Sequence, residues 1–151
     1  MLVRAAALSL VLITGIARAG AWGDGSFEND DALDWGGECT SAKSVKPVSA
    51  ALNVAIRNKS IEAPDGAAAV AAAEIVAAAL GQPSPKLPSQ LRDWMKRQSS
   101  AQLVALAPNA RSALTRVADP ETSELAQMWS QVKPNKWLES IAELQARLKE
   151  Q

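Results

Sequence analysis

From Asp65 to Leu80 this 151-residue chain is built almost wholly from alanine, valine and isoleucine, and Glu74 is the only charge between Asp65 and Lys86. Alanine has the highest helix propensity, and its small side chain suits close packing against neighbouring helices. The run therefore predicts a helix, ended by Gly81 just beyond its last turn and by Pro83 and Pro85, which cannot continue it. It is too short to cross a membrane and it carries a carboxylate. On a helical wheel Glu74 shares its face with Ala67, Ala71 and Ala78, while Val70, Ile75, Val76 and Leu80 lie around the rest. If the alanine face packs on another helix, Glu74 is partly buried and needs a cation, with Arg57 or Arg92 as candidates. If that face is open, Glu74 is a solvated helix residue.

The rest of the chain reads the same way. A first short helix is expected from Asp31 to Ala42, with Asn29 or Asp30 as N-cap and Ala32, Trp35, Cys39 and Ala42 on one apolar face. Gly36-Gly37 weakens it and can end it early. A second runs from about Pro47 to Asn58 over Val48, Ala51, Leu52, Ala55 and Ile56. Pro88 opens a helix carrying Leu91, Trp94 and Met95, and Ser99-Ser100 punctuates. Pro108 starts a helix with Ala110, Leu114 and Val117 on its stripe. Asp119-Pro120 reads as an N-cap followed by proline at the first helical position, leading into Leu125, Met128 and Trp129. After Lys133-Pro134-Asn135 a last amphipathic helix carries Trp137, Ile141, Leu144 and Leu148. No segment has convincing period-two alternation. The expectation is an all-α, single-domain bundle of about six to seven short helices.

The N-terminus carries a different signal. An apolar run from Ala5 to Ile16, with Arg4 before it and the small-x-small triplet Ala17-Arg18-Ala19 after it, reads as a secretion signal cleaved after Ala19. Residues 1–19 are then the signal peptide and residues 20–151 the helical domain. Removing 19 of the 151 residues leaves 132, enough for a core without disulfides or metal. The expected location is periplasmic or secreted, with no membrane insertion after cleavage. Arg4 and Arg18 leave with the signal, so the mature chain keeps 14 basic and 16 acidic residues. Six acids and no base lie between Gly20 and Ala42, whereas the remainder carries 10 acids and 14 bases. Without a concentrated basic face, nucleic acid is not an expected partner.

The chain has no histidine, no tyrosine and one cysteine. A Ser-His-acid triad, a Cys-His pair and every His-ligated metal site are thereby excluded. Any catalysis would rest on carboxylates, lysine or serine. No catalytic residue, metal ligand or cofactor is assigned.

Three blocks carry a resemblance. The first is Trp22-Gly23-Asp24-Gly25-Ser26-Phe27-Glu28-Asn29-Asp30-Asp31-Ala32-Leu33-Asp34-Trp35. The second runs Glu62-Ala63-Pro64-Asp65, Ala71-Ala72-Ala73-Glu74-Ile75-Val76 and Gly81-Gln82-Pro83-Ser84-Pro85-Lys86-Leu87-Pro88. The third is Ser123-Glu124-Leu125 with Trp129 and Trp137, then Leu144-Gln145-Ala146-Arg147-Leu148. Together they resemble a bacterial family known as domain of unknown function 4259, over nearly the whole mature chain. The resemblance implies a small, mostly helical domain whose members commonly begin Met-Gly-(Ala/Thr)-Trp-Gly. Cleavage after Ala19 would regenerate that start as Gly20-Ala21-Trp22-Gly23. The resemblance implies no reaction, cofactor or catalytic residue.

Several readings of the N-terminal block compete. In a structural one, Gly23 and Gly25 take positive φ in a tight loop that sets Trp22 and Phe27 against the body, while Asn29 or Asp30 caps. In a functional one, Trp22, Asp24, Glu28, Asn29, Asp30 and Asp34, with Glu74, form a binding surface for a protein partner with a basic face. An EF-hand loop from Asp24 fails, because its sixth and twelfth positions hold Asn29 and Trp35. Glycosidase carboxylates need a separation of roughly 5 to 9.5 Å across a cleft, which Asp30 and Asp34 could meet on a helix. Cys39 reads as a small buried hydrophobe, or, if exposed, as a thiol able to link two chains. Trp94, Trp129 and Trp137 read as core. The favoured function is a non-enzymatic binding module of immunity or accessory type that uses the acidic surface and the neighbouring loop from Gln82 to Pro88. The alternative is a carboxylate-dependent hydrolase.

Overall fold

The computed structural model describes residues 23–149. The expected signal peptide, its expected cleavage point and Trp22 lie outside the described residues. Eight helices and no strand make up those that are described: α1 (Asp30–Ser41), α2 (Lys46–Arg57), α3 (Ala63–Ala79), α4 (Ser89–Met95), α5 (Ser100–Val104), α6 (Ala107–Val117), α7 (Glu124–Ser130) and α8 (Lys136–Arg147). The eighth, beyond the expected six to seven, is the short α5, whose start is set by the Ser99 hydroxyl accepting from the Gln102 amide.

The alanine run is the axis of the bundle. Ten of the seventeen residues of α3 are alanine, and every residue from Gly66 to Ala77 except Ala68 is buried. It touches all seven other helices. A helix covered on every side has no amphipathic stripe. Its small side chains let the others close in around it, so α2, α6, α1 and α5 each pack directly against it. The helix ends as the sequence predicts. Gly81 adopts a positive φ of 83°, and the amides of Gly81 and Gln82 donate back to Ala78 and Ala77 carbonyls.

Two expectations are corrected. The Gly36-Gly37 pair does not end α1. Gly36 is buried beneath Leu91 of α4, and a Cβ there would meet Leu91 Cδ1 at 3.4 Å, an ordinary van der Waals contact. The buried face of α1 is Ala32, Gly36 and Cys39, with Trp35 at its edge. The Asp119-Pro120 pair does not start α7. The Ile61 amide donates to the Thr122 carbonyl at 2.8 Å, and the Glu124 amide to the Ile61 carbonyl at 3.0 Å, forming an isolated parallel bridge between Ile61 and Ser123. That pairing holds Ser123 extended. Helix formation waits for Glu124, capped by the Ser123 hydroxyl, while the Asp119 carboxylate closes a local turn by accepting from the Glu121 amide.

Tryptophan fixes the helix contacts. Trp94 is fully buried and its indole N–H donates to the Ala42 carbonyl at 2.8 Å, tying α4 to the C-terminus of α1. Trp129 of α7 and Trp137 of α8 stack with centroids 6.3 Å apart and planes 4° apart. Among the described residues no helix is long and apolar enough to cross a membrane.

Candidate functional site

The segment from Gly23 to Asn29 is a tight loop closed on itself. The Gly23 amide donates to the Glu28 carbonyl at 2.8 Å, and the Gly25 amide donates to Glu28 Oε2 at 2.9 Å. Neither glycine has the positive φ expected from the sequence; the Glu28 side chain crowds both positions. A Cβ on Gly23 would stand 2.5 Å from Glu28 Cβ, and one on Gly25 2.9 Å from Glu28 Cδ. The loop is then stitched to the bundle. Phe27 is buried, Ser26 Oγ donates to Glu74 Oε1 at 2.8 Å, and Ser140 Oγ of α8 donates to the Asp24 carbonyl at 2.7 Å.

Three members of the predicted surface serve the fold. Asn29 is buried and accepts from the Ala32 amide at 2.8 Å as the N-cap of α1. Glu28 forms a 2.7 Å ion pair with Lys86 of the Pro-rich loop. That hydrogen bond, with the Gly25 amide, holds the Glu28 carboxyl below its ordinary range, and Glu28 in turn raises Lys86. Glu74 is 3% exposed, which resolves its two sequence readings in favour of burial. Its cation is neither Arg57 nor Arg92 but Arg147 of α8, which grips both carboxylate oxygens at 2.9 and 2.8 Å. A fork-on-carboxylate pair of this kind is the strongest form of charged hydrogen bond. Bonding to Glu74 is the main reason the Arg147 guanidinium titrates even higher than usual. Arg92 instead donates to the carbonyls of Leu87 and Pro85, bracing the loop before α4, and Arg57 is exposed at the end of α2.

The remaining carboxylates face outward. Asp24 borders a cleft of about 480 Å³ between the loop and α8, whose rim mixes Lys86, Lys136 and Arg147 with Glu139 and Glu143. Asp30 and Asp34 lie on the exposed side of α1. At 3.6 residues per turn they share an arc of about 100° with Asp31 and Glu38, a single acidic stripe two turns long. None of these four carboxylates has a lysine or arginine within 4.0 Å among the described residues. The structure therefore separates what the sequence groups together. Asp24 and Glu74 meet at one cleft, while Asp30 and Asp34 stand apart on the stripe, facing no second wall as a pair of glycosidase carboxylates would.

Other chemistry is limited. Cys39 is fully buried, and burial pushes its thiol up to about 12, so it is neither a nucleophile nor a free link to a second chain. Among the described residues no group of three or more His, Cys, Asp or Glu is placed to hold a metal ion. Arg147, Ser26 and Ser140 went unrecognised in the sequence. A lone charge in an alanine helix signals that a partner exists. It does not say which of several distant arginines it is.

A family model described as domain of unknown function (DUF4259) matches residues 20–140. No curated protein and no solved structure matches the chain.

Proposed function

We propose, from the premise that this chain belongs to the DUF4259 family of domains of unknown function, that it is a small exported, non-enzymatic protein-binding module of immunity or accessory type. In this reading the signal is removed after Ala19 and the domain works in the periplasm or outside the cell. Its partner is a protein with a basic surface.

One observation carries the proposal. Five of the six acids of the N-terminal segment fall into two sets: Glu28 is paired with Lys86, whereas Asp30, Asp31, Asp34 and Glu38 project from α1 with no internal cation among the described residues. Like charges gathered on one helix face repel each other, and only Asp30 and Asp31 gain from the helix dipole of the first turn. A stripe that does little for its own helix is suited to steering a cationic partner and setting its register.

The test is capture from a periplasmic extract with the wild-type chain and with Asp30→Ala/Asp34→Ala, after circular dichroism has established that both are folded. One stoichiometric partner with a basic face, released by added salt and absent with the variant, is the expected result. Capture of nothing, together with turnover of a glycan or ester that the same changes abolish, would make the protein a carboxylate-dependent hydrolase instead.

A further inference from the structure

Beside the acidic stripe runs an apolar groove of about 400 Å³ between α1 and the start of α4. Phe27 and Leu91 are buried at its base, Leu33 stands at its edge 49% exposed, and Pro88 closes the α4 side. Its other feature on α1 is the glycine pair. At Gly36 a Cβ would come into ordinary contact with Leu91, whereas at Gly37 it would meet nothing within 4 Å. Glycine inside a helix costs about 0.5 to 1 kcal/mol relative to alanine, and the fold gains no close approach at Gly37 in return. What the missing side chain does provide is an open groove. Asp30 and Asp34 do not line the groove; they lie one turn before Leu33 and Gly37 respectively, on the adjoining exposed face of α1, with no cation within 4.0 Å among the described residues. The α4 side carries the uncharged Gln90. The α4 wall is fixed in advance, because Arg92 holds the carbonyls of Pro85 and Leu87, which lowers the ordering cost of binding.

We infer that this groove receives a basic amphipathic helix of the partner, with one or two large apolar side chains seated between Leu33, Gly37 and Leu91 and adjacent lysines or arginines on Asp30 and Asp34. The volume lies at the low end of the roughly 300 to 1,000 Å³ typical of binding pockets, which suits a few anchoring side chains. From Leu33 to Thr40 the groove follows α1 for about 10 Å, a length that matches apolar anchors one turn apart on an incoming helix. The inference rests on the binding reading above and specifies its partner.

The probe is a helix-stabilised synthetic peptide about four turns long, with leucines at i and i+4 on one face and lysines and arginines beside them. Its binding is followed by fluorescence anisotropy, and its site by amide shifts in NMR spectra of the isotopically labelled chain. The comparison peptide has the same composition in scrambled order. Gly37→Leu fills the groove from a position with room for the side chain, so the variant keeps its fold, which its melting temperature checks. Expected are shifts at Leu33, Gly37 and Leu91, weaker binding of the scrambled peptide, and a loss of at least about tenfold with Gly37→Leu. Absence of binding, equal binding of the scrambled peptide, or unchanged affinity of a folded Gly37→Leu chain overturns the groove inference. If Gly37→Leu has no effect while Asp30→Ala/Asp34→Ala removes salt-dependent binding, the groove fails and the acidic-surface reading stands. If the aspartate changes have no effect either, that reading fails with it.

Discussion

Helices α3 and α1 treat charge and small residues in opposite ways. In α3 the one buried carboxylate is bound on both oxygens by Arg147 and on one by Ser26, and the small residues are filled against by neighbours. In α1 four carboxylates point to solvent with no cation among the described residues, and the small residue Gly37 borders empty space. The same residue types thus mean different things. Where burial demands it, an acid is paired and an alanine is a packing device. Where nothing demands it, an acid or a glycine that the fold does not use is evidence of a use elsewhere.

The largest effect that could break this contrast lies in α3. Arg147→Ala leaves Glu74 buried and uncompensated and should cost about 3 to 5 kcal/mol by urea unfolding. Replacing the pair together, Glu74→Gln with Arg147→Met, should cost clearly less, because no charge is stranded. A single change as costly as the double would show that the carboxylate is not what α3 must neutralise.

Adding methylenes distinguishes the two helices next. Ala72 is fully buried, and Ala72→Leu should destabilise by about 1 to 3 kcal/mol through overpacking. Gly37→Ala should do the reverse and stabilise by about 0.5 to 1 kcal/mol, seen as a raised melting temperature, since only helix propensity changes there. Equal signs at the two positions would remove the distinction.

The smallest effect sharpens the comparison within the acidic segment itself. Glu28 is the member of that segment held by a cation, and its carboxyl is lowered by Lys86 and the Gly25 amide. A depressed folded-state pKa gives stability that is present above the unfolded value, near 4.5, and is lost as pH falls through the lower folded value. Glu28→Gln should therefore flatten the acid limb of a pH-stability profile in that window, and only slightly, because the pair is exposed and screened.

How far the sequence could be read follows from the range of the interaction involved. Local signals were legible: Gly81 after the alanine run, Asn29 as a cap, Pro108 near the start of α6, and the stripe of Trp137, Ile141, Leu144 and Leu148. Failures arose where distant residues decide. Pairing with Ile61 delays α7 past Asp119-Pro120, and α8 rather than a nearer helix supplies the cation for Glu74. The acidic segment was visible as composition. Its division into carboxylates bound by the fold and carboxylates facing outward depends on helix phase and on where Lys86 comes to rest. The lead-in glycines were visible too, but their reason was not: the carboxylate side chain of Glu28 folds back into the space a Cβ would take.

The account depends most on the outer face of α1 being dispensable to the fold and required for a partner. Capture from the periplasm with a chain carrying Asp30→Ala, Asp34→Ala and Glu38→Ala, set beside its melting curve, tests both halves at once. The predicted result is a melting temperature within a few degrees of wild type, corresponding to at most about 0.5 kcal/mol, together with complete loss of the captured partner. Unfolding of the variant, or undiminished capture by a folded one, would contradict it.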